Sequence, residues 1–565
     1  MSSPATPSPG ADRWPPQVKY IVGNEAAERF SYYGMKSILM LYITKALMQT
    51  EDRATQIIHL AGFAVYFMPL LGAWVADKLW GRYHTILWIS LFYCVGHGVL
   101  ALADVFAPTN HDAKLYCLYA GLGLIAFGAG GIKPCVSAFM GDQFAANQSH
   151  LMRKAYGAFY FSVNFGSFFS FLLIPWIAQN PEAALAPDAS WVASLLWKIK
   201  QTGFTGYGWA FGVPGILMGL ATFIFWLGTK HYVRKPPTRE TRSAGFLPVF
   251  LNAFANQTGG ISAKATLSVL TTIVLPALAL VGLVVVSLPK TPTPFEMSVG
   301  RTAIGCIGIW YLLVILSCVF RFLELPDSFW NAAKKRFSDA DISAARSVAP
   351  ILGVFALVPA FWALFEQSNS TWVSQGANMV PWKVAGLTIG AEQMQSMNPL
   401  LVMILIPLLN WGIYPALEKA GFRVTQLRRI SLGLILTASS YLIVGWLQTR
   451  IEAGDKLSIM WQTLPYIVLT TGEILVSTTG LEFAYMQAAP SMKSTIISFW
   501  YLTVAFGNLS VAAITTVFGG GHGDESVSAG RFFQYAGLTF GVSVLFIIVA
   551  TFYRYRDTPA APAKA

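Results

Sequence analysis

The sequence has few charged residues for its length. Asp, Glu, Lys and Arg make up 12% of the 565 residues, whereas soluble globular chains have about 25%. Hydrophobic residues make up 55%, and the mean hydropathy is +0.53. This balance excludes an ordinary soluble domain and indicates a polytopic membrane protein.

Cysteine and histidine are also scarce, and neither forms a recognisable metal or catalytic pattern. The five cysteines lie in apolar segments without metal-ligand spacing, which predicts small buried side chains: Cys94, Cys117, Cys135, Cys306 and Cys318. The seven histidines show no His-Glu-x-x-His spacing and no Ser/His arrangement. An intramembrane enzyme would need such a motif, so the sequence predicts a protein that is not an enzyme and binds no metal.

The loops indicate the topology. Apolar runs predict about fourteen membrane-spanning helices, and an even number places both termini on one side. The basic clusters Arg234-Lys235, Lys334-Lys335-Arg336 and Arg428-Arg429 all fall in loops on that side, which is therefore predicted to be cytoplasmic. This topology explains the net charge of +12 without nucleic acid as a partner.

A possible duplication predicts the domain organisation. Gly412 and Gly421 repeat the spacing of Gly72 and Gly81, and each pair lies at a junction of two predicted spans. If the two spans near 265–289 and 302–322 are an insertion, the remainder forms two six-helix halves, a recurrent transporter plan. The predicted parts are a disordered cytoplasmic tail (1–16), an N-terminal six-helix bundle (17–229), a cytoplasmic linker with the two inserted helices (230–346), a C-terminal six-helix bundle (347–555) and a second cytoplasmic tail (556–565).

The first predicted span carries a stripe of charges. Glu25, Glu28 and Arg29 stand at i, i+3 and i+4, so they share one helix face, and Lys36 lies two turns further along it. One buried charge costs about 3 kcal/mol in a membrane helix. A stripe of this kind is not expected to face lipid, so it is predicted to line a water-filled cavity, which points to transport.

Four more ionisable residues stand alone in apolar spans. Lys133 is either a counter-ion or a side chain that snorkels to the interface. The polar residues on either side of it are more than one helical turn away, which favours the counter-ion. Glu366 follows an aromatic run, and Glu473 has helix packing as its structural alternative. His59 is a candidate for proton coupling, because histidine as a residue type titrates in the range needed, and a hydrogen-bonded structural histidine is the alternative.

Several motifs resemble those of the proton-dependent oligopeptide transporter family, within the major facilitator superfamily. They occur in the family's order, and the resemblance covers nearly the whole chain. The matching segments are Glu25-x-x-Glu28-Arg29-Phe30-Ser31-Tyr32-Tyr33-Gly34, Gly72 to Gly81 with Thr85-Ile86, Phe159-Tyr160-Phe161-Ser162-Val163-Asn164-Phe165-Gly166-Ser167, Gly131-Ile132-Lys133-Pro134-Cys135-Val136-Ser137-Ala138-Phe139 and Gly480-Leu481-Glu482-Phe483. The last two are especially similar to the mammalian peptide transporters, and the two inserted spans resemble extra helices of bacterial members.

The resemblance implies an all-α major facilitator fold and two sets of functional residues. The implied substrate-binding set is Arg29, Tyr32, Tyr33, Lys36, Tyr66, Lys133, Tyr160, Asn164, Trp362, Asn398, Glu473 and Trp500. The implied proton-coupling set is Glu25, Glu28, Arg29, Lys36, His59, Lys133 and Glu366. Family members more often have arginine at position 36, so Lys36, which the resemblance pairs with Glu366, is a departure.

The predicted function is import of di- and tripeptides with protons by alternating access, the peptide being held by its charged ends. No cofactor is expected, because the proton gradient drives transport. The protein is expected to lie in the lipid of a bacterial inner membrane and to function as a monomer. The alternatives are a nitrate, histidine or other small-anion transporter of the same superfamily and, from another class, a passive channel. Counterflow of labelled dipeptide in proteoliposomes separates these.

Overall fold

Helices account for nearly all of the regular structure. The computed structural model describes residues 14–107, 110–145, 148–179, 206–237, 245–257, 266, 269, 274–289, 291–320, 325–384, 387–422, 424–519 and 527–553. The predicted tails therefore lie almost wholly outside the described residues. Clustering of contacts divides the chain into a first unit (1–49, 64–239 and 381–403) and a second unit (50–63, 240–380 and 404–565).

The described residues of the first half of the chain form nine α-helices. They are α1 (Val18–Leu41), α2 (Glu51–Val75), α3 (Gly81–Phe106), α4 (His111–Gly141), α5 (Ser149–Ala178), α6 (Gly206–Leu227), α7 (Phe246–Ala255), α8 (Leu275–Ser287) and α9 (Pro294–Phe320). Two π-helical turns, Tyr42–Ala46 and Ala76–Trp80, follow α1 and α2.

The second half begins with shorter helices. These are α10 (Asp327–Asn331), α11 (Asp339–Arg346), α12 (Val348–Phe355), α13 (Pro359–Phe365) and α14 (Thr371–Ala377). A hairpin follows, in which β1 (Trp382–Val384) pairs antiparallel with β2 (Leu387–Ile389) and Trp382 stands opposite Ile389. The sequence did not predict this hairpin, because its strands have only three residues each.

The remaining helices are α15 (Met397–Pro407), α16 (Tyr414–Lys419), α17 (Gln426–Glu452), α18 (Thr463–Glu473), α19 (Thr479–Gln487), α20 (Lys493–Gly519) and α21 (Ala529–Phe552). Among the described residues, ten helical segments are long and apolar enough to cross a membrane, or eleven if the bent segment from 339 to 377 forms one span. The predicted all-α membrane fold is confirmed, and the total of about fourteen helices stays a prediction.

The first unit is built on α1, α3 and their neighbours. α3 packs on α4 and α6, and α1 packs on α5 and α6. Neighbouring helices can approach α4 closely at its glycines, where only a hydrogen atom stands in place of a side chain. A Cβ on Gly131 would lie 2.7 Å from Ile89 of α3, and one on Gly130 would lie 2.4 Å from the Cβ of Met68 of α2. The glycines therefore bring α4, and Lys133 with it, against α2 and α3.

The second unit contains the inserted helices. α8 packs on α9 and α20, and Leu283 and Ala303 join Leu509 and Ala513 of α20 in one buried cluster. α17 packs on α18 and α21, and α13 packs on α20. The predicted insertion is thus part of the packed core of this unit.

The short helix α10 and the 3₁₀ turn that follows it pack on α7. Phe329 of α10 and Ala333 are fully buried, and the ring of Phe329 lies 5.4 Å from that of Phe250. α7 therefore covers the buried face of α10 and of the turn that follows it.

Phe329→Ala should destabilise this contact strongly. Truncation of a buried phenylalanine costs about 3–5 kcal/mol, because the transfer free energy is lost and a cavity remains. We expect a clear fall in the melting temperature of the detergent-solubilised protein by scanning fluorimetry. Phe422→Ala removes a ring that is 65% exposed and is the matched control. Equal melting temperatures for the two variants would contradict the packing role of Phe329.

Candidate functional site

Three charged side chains of α1 form a buried ion cluster. Arg29 Nε lies 2.7 Å from Glu25 Oε1 and 3.0 Å from Glu28 Oε2. Glu25 is 3% exposed and Glu28 is fully buried. The spacing i, i+3 and i+4 places all three on one helix face, as predicted. One guanidinium thus neutralises one of two carboxylates, which leaves the trio with one negative charge when all three groups are ionised.

Lys133 supplies the compensating positive charge. It projects from α4 and lies close enough to Glu28 to interact with it electrostatically. Its Nζ is 4.4 Å from the ring centre of Tyr32 and 4.1 Å from that of Tyr66. Two aromatic faces at this range stabilise a desolvated ammonium group. The two carboxylates and the two cations of this cluster therefore have no net charge. Each cation can change from one carboxylate to the other without leaving net charge buried.

Tyr93 is a neighbour of this cluster that the sequence did not identify. The side chain is fully buried on α3, where it faces Glu28 and stacks on His97 with 5.3 Å between ring centres. A tyrosine in an apolar span carries no sequence signal of its own, because aromatic residues are common in such spans. Its hydroxyl adds a polar group to the apolar wall of the cluster.

The other predicted residues of the first unit lie on three elements. Lys36 of α1 is buried, at 7% exposed, and Tyr33 packs on Phe171 of α5. Asn164 and Tyr160 stand one turn apart on α5, and Asn164 Nδ2 donates to the Tyr160 carbonyl at 3.0 Å. Asn398 is half-buried in the first turn of α15, so a helix begins there rather than breaks.

His59 belongs to the second unit and is hydrogen-bonded at both ring nitrogens. Nδ1 lies 2.9 Å from Asn508 Oδ1, and Nε2 lies 2.9 Å from Ser370 Oγ. Asn508 Nδ2 donates to the Val504 carbonyl, which identifies the amide oxygen as the atom that faces His59. An amide oxygen only accepts, so His59 Nδ1 must carry a hydrogen.

Ser370 accommodates both protonation states of His59. When the ring is neutral, the Ser370 hydroxyl donates to Nε2. When the ring is protonated, Nε2–H donates to Ser370 Oγ, and the hydroxyl turns to the Gln367 carbonyl, 3.5 Å away. The site therefore fits a proton carrier as well as a structural histidine.

Besides His59, the predicted site residues of the second unit are two tryptophans and two glutamates. The indole rings of Trp362 and Trp500 are 6.1 Å apart in an edge-to-face arrangement. A Cβ on Gly480 would lie 2.4 Å from the Trp500 ring, so this motif glycine makes room for the indole. Glu366 begins the 3₁₀ turn after α13 and is 3% exposed. Glu473 ends α18 and is half-buried just before the π-helical turn Ile474–Thr478.

The structure thus sorts the predicted residues into two groups. Eleven fall in the first unit: Glu25, Glu28, Arg29, Tyr32, Tyr33, Lys36, Tyr66, Lys133, Tyr160, Asn164 and Asn398. Five fall in the second unit: His59, Trp362, Glu366, Glu473 and Trp500. Tyr160 is 42% exposed whereas Tyr32 is buried, so the aromatic residues of the set differ widely in burial.

Comparison with known proteins identifies related sequences and structures. The family model described as the POT family matches residues 83–293 and 324–525. "Peptide transporter 3" of Caenorhabditis elegans is 31% identical over 78% of this chain and 51% of its own length. "Solute carrier family 15 member 2" of Homo sapiens is 29% identical over 84% of this chain and 55% of its own length. The chain therefore spans about half the length of these curated relatives.

A solved structure matches over nearly the full length of both chains. It is described as the crystal structure of an auto-inhibited POT family peptide transporter and has 37% sequence identity and a TM-score of 0.77. The match covers 97% of this chain and 99% of the other. This agreement confirms the predicted fold class.

Neutral His59 should carry its hydrogen on Nδ1. We expect ¹⁵N NMR of the histidine-labelled protein at alkaline pH to show this tautomer, with the signal assigned through its loss in His59→Gln. Asn508→Leu removes the acceptor and should shift His59 toward the Nε2–H tautomer, which can donate to Ser370. Ser510→Ala, on the same helix, should leave the signal unchanged, since Ser510 donates to the Phe506 carbonyl. An Nε2–H tautomer in the unmodified protein would contradict this geometry.

Proposed function

We propose that this chain, which belongs to the POT family, is a proton-coupled symporter that imports di- and tripeptides by alternating access. The names of the Caenorhabditis elegans relative and of the matching solved structure both mention peptide transport, which supports this substrate class. The observation that carries the proposal is the balanced, buried cluster of Glu25, Glu28, Arg29 and Lys133. Ionisable groups in membrane helices typically mark substrate and proton pathways.

A short peptide would be recognised by its charged ends. At about 3.5 Å per residue, two or three residues separate ammonium from carboxylate by roughly 6–10 Å. We assign the carboxylate to the cations Arg29, Lys36 and Lys133, and the ammonium to Glu473. The amides of Asn164 and Asn398 add hydrogen bonds, and aromatic side chains accept varied residues without specific polar contacts. The aromatic residues assigned to this role are Tyr32, Tyr33, Tyr66, Tyr160, Trp362 and Trp500.

Proton coupling would use groups that change charge while they stay buried. Glu366 is the proposed coupling carboxyl, with Lys36 as its counter-charge. The buried cluster of α1 and α4 supplies Glu25 and Glu28 as further proton acceptors, held by Arg29 and Lys133. His59 modulates the pH dependence, because Ser370 can serve either protonation state of the ring. A buried ion pair is a modest stabiliser but an effective switch, since loss of one partner changes the energy by several kcal/mol.

The remaining parts of the proposal concern the cellular setting. We place the protein in a bacterial inner membrane with both termini in the cytoplasm, from the basic loops and the inserted helices. A single chain is proposed to suffice, driven by the proton gradient without a further cofactor. Counterflow of labelled dipeptide into proteoliposomes tests the function directly. No dipeptide accumulation, with nitrate or histidine accumulated instead, would overturn the peptide assignment.

Glu366→Gln should uncouple transport from the proton gradient. Glutamine cannot take up or release the proton, so uptake driven by a pH gradient should collapse. Exchange of peptide for peptide moves no net proton and should persist at a substantial rate. Both rates are measured in proteoliposomes with labelled dipeptide. Glu418→Gln, at an exposed position of α16, is the control and should keep both activities.

Glu473→Gln should lower exchange and driven uptake together. It removes the proposed partner of the peptide ammonium group, which costs about 2–5 kcal/mol and weakens binding by roughly thirtyfold or more. Competition binding of unlabelled dipeptide measures this loss.

Full proton-driven accumulation by Glu366→Gln would show that Glu366 does not couple, and the proton would then pass through Glu25, Glu28 or His59.

Peptides altered at their ends should compete poorly. A dipeptide with a blocked amino terminus has no ammonium group for Glu473, and a tetrapeptide separates its two charges too widely. We expect both to inhibit labelled dipeptide uptake far less than a free dipeptide at the same concentration. Equal competition by the tetrapeptide would contradict recognition of both ends.

A further inference from the structure

Residues 391–396 form a deeply buried segment of the first unit. All six side chains are at most 8% exposed. The segment and the strand before it are each joined to a neighbouring helix by one hydrogen bond. Gln395 Nε2 donates to the Ser37 carbonyl of α1 at 3.0 Å, and Trp176 Nε1 of α5 donates to the carbonyl of Thr388 in the preceding strand at 3.4 Å. The 3₁₀ turn Gln393–Ser396 packs on α5.

Glu392 places a carboxyl group inside this packed segment. The residue is 4% exposed, and its Oε1 has no hydrogen-bond partner among the described residues. It lies outside the apolar spans, immediately before the one that begins at Gln393. A buried carboxylate with an oxygen that has no hydrogen-bond partner is costly, whereas the neutral acid is tolerated. The local structure therefore suits the protonated form.

Among the residues that the structure describes, few charged groups face this carboxyl group. Lys45, on the π-helical turn after α1, acts on it from an exposed position, and Tyr207, at the start of α6, lies within electrostatic range. The last turns of α5, residues 170–178, contain no ionisable side chain. Burial raises the pKa of Glu392 to about 8, and Lys45 opposes that rise only in part.

We propose that Glu392 is a proton-binding site whose occupancy holds residues 387–396 on α1 and α5. This site is additional to the residues of the proposed peptide and proton pathway. Its link to transport rests on the proposed function, but proton binding itself does not. The proton neutralises Glu392 while the segment is docked, and its release places a negative charge in the packed segment and favours undocking.

The direction of the pH dependence follows from linkage. The docked carboxyl group has the raised pKa, and an undocked, hydrated one returns to about 4.3. Docking therefore takes up a proton between these two values. In that window the docking constant falls about tenfold for each pH unit of increase. Above the docked pKa the carboxyl group is ionised in both states, and the constant no longer changes.

Hydrogen exchange of the peptide covering residues 387–396 tests this site. The full-length protein in lipid nanodiscs is compared with Glu392→Gln at each pH from 5.5 to 9.5. The ratio of the two exchange rates cancels the intrinsic pH dependence of exchange. We expect the ratio of unmodified protein to Glu392→Gln to rise about tenfold per pH unit and to level off above pH 8. A ratio that does not change with pH would overturn the proposal.

Lys45→Met provides an independent variant. Removal of the positive charge makes the ionised carboxylate less favourable, so the pH at which the ratio levels off should move upward. If Glu392→Gln does not fold, the unmodified protein is measured alone. Its exchange rate for residues 387–396 is corrected for intrinsic rates and divided by the corrected rate for residues 436–446 in α17, and this ratio replaces the comparison with Glu392→Gln. A corrected ratio without pH dependence, or a levelling point unmoved by Lys45→Met, would contradict the site.

Dipeptide counterflow, measured with the same protein variants in proteoliposomes, separates this proposal from the function. A flat exchange ratio with intact counterflow overturns the Glu392 site alone. A pH-dependent ratio without any counterflow overturns peptide transport and leaves the proton site standing.

Discussion

Charge balance in an apolar interior is the constraint on which the first unit depends. Glu25 and Glu28 both contact Arg29, and Lys133 supplies the second positive charge from another helix. Removal of any one partner leaves an uncompensated buried charge, which costs several kcal/mol. The glycines of α4 and the aromatic faces of Tyr32 and Tyr66 serve this constraint, because they bring Lys133 close and stabilise its buried ammonium group.

The sequence predicted most of this cluster for a physical reason. Charged residues in apolar spans are costly, so those that are present need partners, and the i, i+3, i+4 spacing indicates which partners share a helix face. The same reasoning identified Lys133 as a counter-ion rather than an interfacial lysine. The all-α fold followed from the long apolar runs, which only helices or closed barrels can place in a bilayer.

Other features depend on contacts that no local pattern reveals. Asn508 and Ser370 fix the ring of His59 from positions far away in the chain. Tyr93 looks like any other aromatic residue of an apolar span until α3 places it against Glu28. Glu392 lies in a stretch of polar residues that resembles an exposed loop, yet packing on α5 buries all of 391–396. Tertiary burial decided these cases, and the sequence carries no periodic signal for it.

The charges of α1 also have a consequence for synthesis of the protein. α1 is 24 residues long, yet it is not among the described helices that are apolar enough to cross a membrane. The translocon meets this helix before α4 and its lysine have been synthesised. The nascent α1 therefore has to wait at the membrane surface or beside the translocon until α4 arrives. Stable insertion of the first helix is then a late event that requires assembly of the unit.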